Sequence, residues 1–489
     1  MAEPARPNIV LINVDQWRGD CLSLDGHPVV ETPWLDELAL EGVRCARAYA
    51  ATPVCIPARA SLYTGLTPQS HGRVGYRDGV PWDYPVTMAG EFTRGGYQTQ
   101  AIGKLHVYPE RLQMGFQNVI LHDGYLHFAR DRRRDQAGLD DYLQWLRREA
   151  GVDADYVEHG LDCNAQVARP WDKEERLHPT NWAFAQAVDF LRRRDPTKPF
   201  FLFLSLHRPH PPYDPPRWAF DQYMEDPLPE PPQGDWGEIW TPFANPRKPD
   251  LFVGRMDPRA LRRARAGYYG LMTQIDHQVH RLREAIQEYR LAGNTVLCFV
   301  SDHGEMLGDH GLFRKGYPYE GSARVPLILA GPADLGFKTN HVIHEPVELR
   351  DIMPTLLAIA RLPIPAAVEG KSFLPLARGR KTPWRAHLHG ELALFGQSIQ
   401  WLTDGKEKYV WFSGSGREQL FDLTEDPEER HDLARNQGAA ARVARWRARL
   451  VRELRGREEG FVSGSRLVRG RPVRAVLSHL ARRVGVQVA

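Results

Sequence analysis

Cys55 lies two residues before Pro57 and four before Arg59, in a run from Thr52 to Gly65 that reads as a loop turning into a helix. Pro57 suits a first helical turn, and the exposed N–H groups of such a turn favour an anion or a charged nucleophile. A thiol beside a fixed guanidinium can react; a lone cysteine is otherwise a small buried hydrophobe. More residues capable of chemistry follow apolar runs. Asp15 closes the run from Asn8, Lys104 and His106 follow Gln98 to Gly103, His207 and His210 follow Pro199 to Leu206, and Asp302 with His303 follow Thr295 to Val300. Asp15 by itself reads equally well as a helix cap. Taken together, two carboxylates and an imidazole at one sheet edge suit a divalent cation of mixed oxygen and nitrogen preference, such as Ca2+ or Mn2+, and argue against a thiolate zinc site.

The elements that must hold these residues are legible as alternating strands and helices. The apolar runs are short and rich in β-branched or aromatic residues, the pattern of strands buried on both faces of a parallel sheet, whose carboxyl ends are where ligands gather. Helices are predicted at Thr32 to Gly42, Val86 to Gly95, Asn181 to Arg194, Arg259 to Arg290 and Glu348 to Leu362, with further strands at Cys45 to Ala51 and Val325 to Leu329. The fold expected is α/β, a large mixed, mostly parallel sheet sandwiched by helices, with a smaller C-terminal antiparallel-sheet subdomain. Residues 1–375 form the catalytic part, 376–435 the small sheet and 436–489 an Arg-rich helical C-terminal arm. Strands of the small sheet are expected at Ser398 to Leu402, Lys408 to Phe412 and Gln419 to Leu423. Tyr125 to Thr180, with the charged run Arg130 to Asp135, reads as an excursion over the surface. Pro227 to Pro249 reads as a proline-rich surface loop, and the prolines after Leu206 as the stop of their strand.

Composition narrows the function classes. A chain of 489 residues with 42% apolar content can bury a large core, and a formal charge of +3 gives no general attraction for nucleic acid. Five widely spaced cysteines without a CxxC pair suggest neither a disulfide framework nor a thiolate metal site. No signal-peptide pattern opens the chain and no apolar stretch of about 20 residues follows, so a cytoplasmic protein without a transmembrane segment is expected. From Ala441 onward there are thirteen arginines, no lysine and three glutamates. Val443, Trp446, Leu450 and Leu454 share one helical face there, which favours docking with a solvated charged face over a polyanion-binding arm.

The motifs resemble those of the type I, formylglycine-dependent sulfatases of the alkaline phosphatase superfamily. Cys55-Ile56-Pro57-Ala58-Arg59 is similar to the family's C-x-P-x-R signature, Gly103-Lys104-Leu105-His106 to its G-K-x-H motif, Ser301-Asp302-His303-Gly304 to its late metal-binding turn, and Arg314-Lys315-Gly316 to the site of its substrate-binding lysine. The resemblance implies an alkaline-phosphatase-like fold and hydrolysis of a small-molecule sulfate ester. It implies that Cys55 is oxidised to formylglycine by a formylglycine-generating enzyme, and that Asp15, residue 55, Asp302 and His303 hold one divalent metal ion, with Gln16 just behind them. Arg59 and Lys104 would stabilise the hydrated aldehyde, His106 would orient it, and His207 and Lys315 would bind the transferred group, with His207 the acid toward the leaving oxygen; His210, Asp309 and His310 are further candidates for substrate contact in the pocket. Many sulfatases carry a second Asp after the first and an Asn after the late one; here the pairs are Asp15-Gln16 and Asp302-His303. The late pair is also similar to that of phosphonate monoester and phosphodiester hydrolases, which makes those esters the alternative substrates. A non-catalytic polyanion-binding protein is the third reading, and homo-oligomerisation stays open.

Overall fold

A computed structural model of the chain describes residues 6–124, 140–156, 158–245 and 249–487. The apolar runs form the middle of an eight-stranded sheet. Its strands are β1 (Asn8–Asp15), β2 (Val43–Cys45), β3 (Gln98–Gly103), β4 (Asn118–Leu121), β5 (Phe200–Pro209), β6 (Thr295–Ser301), β7 (Leu327–Ala330) and β8 (His341–Ile343), in spatial order β8-β2-β7-β6-β1-β5-β3-β4. Neighbours run parallel, except that β7 is antiparallel to β2 and β6.

Both faces of this sheet are covered. Val10, Ile12, Val14, Leu202 and Leu204 face one core beneath the helices Pro179–Arg193 and Pro258–Glu288. Ile9, Leu11, Phe201 and Phe203 face the other, beneath Cys55–Thr64 and Ile352–Ile359. A strand with two buried faces needs apolar residues at every position, which is why these runs show no alternation. The long helix starts at Pro258 under the Asp257 cap, whose carboxylate accepts from the N–H groups of Arg259 and Ala260.

A four-stranded antiparallel meander follows: β9 (Leu388–Leu394), β10 (Gln397–Thr403), β11 (Glu407–Phe412) and β12 (Glu418–Asp422). Side chains alternate across it. Ile399, Trp401, Val410, Phe412 and Phe421 pack on Trp236, Trp240 and Tyr319 of the body. Leu402, Tyr409, Trp411 and Leu420 meet Val443, Trp446, Leu450 and Leu454 from the helix Ala440–Glu453 and the residue after it. Arg442, Arg445 and Arg447 pair with Glu407 and Glu418, and Arg457 pairs with the buried Glu391. Further on, Val476, Leu480 and Ala481 pack on Val80, close to the loop that follows the Cys55 helix. Trp446 is buried and its indole donates to Glu407 at 2.7 Å. Trp446→Ala is therefore expected to cost about 3–5 kcal/mol in urea unfolding; a loss below about 1 kcal/mol would mean that the tail contributes little to this core.

Several expectations need correction. The stretch from Tyr125 to Thr180 is no surface excursion where it is described. Asp141–Ala150 is an amphipathic helix that buries Tyr142, Leu143 and Leu146, and Tyr156, Trp171 and Leu177 join the same core. Its charged residues line one helical face and hid the apolar one. The run Arg130 to Asp135 lies outside the described residues. Between Pro227 and Pro249, Gly237–Phe243 is a 3-10 helix, and Trp236 and Trp240 are wholly buried. β5 continues past Leu206 to Pro209, because the backbone there still pairs with β1 at Asp15. Cys45 to Ala51 divides between β2 and a separate two-residue strand, Ala48–Tyr49, and the helix from Glu348 starts as a 3-10 turn before Ile352–Ile359. β9 was not anticipated, since its Gly390 and Glu391 mask the pattern. Among the described residues no helix is long and apolar enough to cross a membrane.

Candidate active site

The carboxyl ends of β1, β3, β5 and β6 deliver Asp15, Lys104, His207 and Asp302 to one edge, where Cys55 opens its helix. Gly103 makes the exit from β3 feasible: its φ is +93°, and a Cβ there would run into the Ser205 carbonyl. Cys55 Sγ lies 3.1 Å from His303 Nε2 and 3.7 Å from Asp15 Oδ1. One ligand atom each from Asp15, Cys55, Asp302 and His303 fall within 4.8 Å of one another, and all four residues are buried. His303 Nδ1 faces the Gly304 carbonyl at 2.9 Å, so Nδ1 carries a proton and Nε2 is the nitrogen turned to the cluster.

Cations surround this set. Arg59 donates from Nε to Asp302 at 2.9 Å and from Nη2 to Asp15 at 3.3 Å, and Lys104 Nζ reaches Asp15 at 2.6 Å. Burial works against ionisation of Asp15, but Lys104, His210, His303 and Arg59 together hold it well below the usual carboxylate range. Burial opposes charge on His303 too, yet Asp302, Cys55 and Asp15 raise it to about 9. Burial and Asp15 push the Cys55 thiol up, and Lys315, Lys104 and His303 outweigh them to bring it below its ordinary value.

A cavity of about 230 Å³ opens onto Cys55, lined by Lys104, His106, His207, His210 and Lys315 among others. Lys315 Nζ bonds Gln16 Oε1 and His210 Nε2, each at 2.6 Å. His210 Nδ1 faces the Pro211 carbonyl at 2.8 Å, so its Nε2 is the acceptor toward Lys315. Arg208 Nη1 donates to His207 Nδ1 at 2.5 Å, and Asp214 braces Arg208 through contacts of 2.7 and 2.8 Å. A guanidinium cannot accept, so Nε2 of neutral His207 carries the proton.

The order Cys-x-Pro-x-Arg on a helix start, two strand-end carboxylates and a cationic cavity is matched at the level of families. The sulfatase family model matches residues 7–362, and a model described as N-sulphoglucosamine sulphohydrolase, C-terminal, matches 308–456. The chain belongs to the sulfatase family. An arylsulfatase of Clostridium perfringens is 49% identical to this sulfatase over 97% of the chain and 100% of the relative. The multifunctional alkaline phosphatase superfamily protein PehA of Trinickia caryophylli is 30% identical over 90% of the chain and 93% of the relative. Among solved structures, the phosphonate monoester hydrolase of Agrobacterium radiobacter superposes with a TM-score of 0.75 at 26% identity, covering 91% of this chain and 95% of that one.

Of the site residues expected from the sulfatase's sequence, all but Asp309 and His310 meet at this edge. Gln16 stands beside the cluster, donating its backbone N–H to Asp302 at 3.2 Å and holding Lys315 with its side chain. Asp309 and His310 do not join it: Asp309 pairs with Arg18 at 2.7 Å and His310 lies against Trp236, away from Cys55. Sequence reasoning missed Glu305, which is buried and bonds the Gln16 side chain, although it lies in the same turn as Asp302. It also missed Arg208 and Asp214 behind His207. Cys163, Asn164, Phe252 and Leu392 to Leu394, which complete the cavity wall, come from segments with no motif of their own.

Proposed function

We propose that this sulfatase cleaves sulfate esters with a formylglycine made from Cys55 and one bound divalent cation, Ca2+ or Mn2+. The surroundings of Cys55 Sγ carry the reading: a helix start, two carboxylates and an imidazole on one side, Lys104 and Arg59 on the other, and a cationic cavity in front. The donor set is oxygen-rich once residue 55 is an aldehyde hydrate, which fits a hard cation. The surplus negative charge that draws a proton onto His303 is the charge such a cation would balance. When bound, the cation would act as a Lewis acid on the residue-55 oxygen.

The chain's own residues account for the remaining steps. One hydroxyl of the hydrate, having lost its proton to solvent because Arg59 and Lys104 hold positive charge beside it, attacks sulfur as the alkoxide, and the S–O bond to the leaving group breaks. Lys315 binds the sulfate oxygens, its ammonium held in position by His210 Nε2. Burial, together with Lys104, His210 and Arg208, keeps His207 well below its ordinary imidazole value. Because Arg208 occupies Nδ1, the Nε2–H of neutral His207 points to the leaving oxygen and stabilises its charge by a hydrogen bond as the bond to sulfur breaks. His106 then removes the proton of the second hydroxyl, the C=O re-forms and sulfate departs, so no water attacks a sulfated enzyme.

The 26% identical phosphonate monoester hydrolase fold and the Asp302-His303 pair favour a second reading, hydrolysis of phosphonate monoesters or phosphodiesters by the same centre. One preparation tests both. Mass analysis of the Cys55 peptide, from protein co-produced with a formylglycine-generating enzyme, should show the aldehyde. Turnover of 4-nitrophenyl sulfate should be lost on chelation and should exceed that of 4-nitrophenyl phenylphosphonate by at least about tenfold, or 1.4 kcal/mol of barrier. The reverse preference would give the site to the second reading, and full activity with an unmodified thiol would remove the aldehyde from it.

A further inference from the structure

The catalytic cavity holds one cation that the reaction does not use. Among the described residues lining it there is no aspartate or glutamate, whereas Lys104, Arg314 and Lys315 all face it. Lys104 and Lys315 are held at the Cys55 end by Asp15, Gln16 and His210. Arg314 is different. Its backbone adopts a left-handed φ of +66°. Its guanidinium lies over the Phe252 ring at 4.1 Å and donates from Nη2 to Asn164 Oδ1 at 2.7 Å. Among the described residues its one ion pair is long, 3.9 Å to the half-exposed Asp250, and its buried Nε has no hydrogen-bond partner. An arginine held flat by an aromatic ring and an amide, with its charge poorly balanced, is prepared for a planar anion.

The rest of the outer wall is apolar: Phe252, Leu392, Leu394 and the half-exposed ring of Tyr76. We propose that the leaving group is an aromatic or similarly flat apolar alcohol carrying a second anionic group, typically a carboxylate, that Arg314 binds while Lys315 holds the sulfate. This rests on the sulfate-ester reading above and adds a determinant of specificity at a distance from the sulfur. An Arg314 that merely braces Phe252 and Asn164 would make no distinction between charged and uncharged leaving groups.

A matched pair of substrates decides between the two: the sulfate ester of 4-hydroxyphenylacetate and that of its methyl ester, whose phenols differ little in acidity. The free acid should be preferred at least about tenfold in kcat/KM, mainly through KM, which is about 1.4 kcal/mol. Arg314→Gln should reduce that ratio to within about threefold of unity, and Arg314→Lys should keep part of it by charge without the planar fork. Thermal melts of both variants show whether they fold. The same pair is measured calorimetrically on Cys55→Ala protein, so that binding selectivity is read without turnover. Absent turnover with a clear binding preference would count against the sulfate-ester reading alone. Equal binding of acid and ester by the Arg314 protein, or a preference that survives Arg314→Gln, would overturn the assignment of Arg314.

Discussion

Replacing Cys55 by alanine should lower kcat for a sulfate ester on the order of 10⁴-fold or more, while His210→Ala should lower it about 10²-fold. The two residues face the same cavity, which makes the contrast informative. Alanine at position 55 can be neither oxidised nor ionised, so it removes the nucleophile and the second hydroxyl that expels sulfate. The remaining cations can still bind substrate, but no group on the chain replaces the attacking oxygen. His210 acts by contact with Lys315 at 2.6 Å, and burial with the adjacent Lys315 holds it well below its ordinary value. Its loss frees Lys315 from its position and so weakens the sulfate contact, without touching the attack. Initial rates on the mature enzymes, with melts to show that both variants fold, measure the ratio. Losses of similar size would mean that residue 55 is not the nucleophile.

The parts of the sulfatase that were legible are those where a physical constraint is local. β1, β5 and β6 must be apolar at every position because both faces are buried, and their runs stand out for that reason. The residues just beyond them could then be placed at one edge, since parallel strands of one sheet end together. Tail docking was legible in the same way, from Val443, Trp446 and Leu450 at helical spacing. The cavity wall was not. Asn164, Phe252 and Leu392 approach one another only through tertiary packing, and each lies in a segment whose own pattern is charged or irregular. Arg208 and Asp214 show the same limit. Their bond to each other and to His207 depends on how β5 ends, which the prolines at 209, 211 and 212 obscured.

Arg59 is where a large effect on both stability and its pH dependence is expected: Arg59→Met should cost about 3–5 kcal/mol at neutral pH in metal-free protein. The side chain is completely buried and fully engaged. It reaches Asp302 and Asp15 and also donates from Nη1 to the Lys104 carbonyl at 2.8 Å and to Ser205 Oγ at 2.9 Å. Methionine fills the volume but leaves two buried carboxylates with only Lys104, on Asp15, and the protonated His303 to balance them. Arg59→Lys should recover little, because one ammonium cannot span partners that the planar fork reaches in different directions. The pH dependence gives an independent check. Asp15 is depressed in the folded state, so its stabilising contribution is present above the unfolded carboxylate value, near pH ~3.9, and is lost as pH falls through the lower folded value. With Arg59 removed, that folded value rises and the acid limb of unfolding should move to higher pH. Urea titrations at neutral pH and an acid melt measure both effects. Added Ca2+ or Mn2+ should restore part of the loss, since it returns positive charge beside the same two carboxylates. A variant destabilised to the same extent with and without the cation would show that Arg59 stabilises only by bracing β3 and β5, and not by balancing the charge at Asp15 and Asp302.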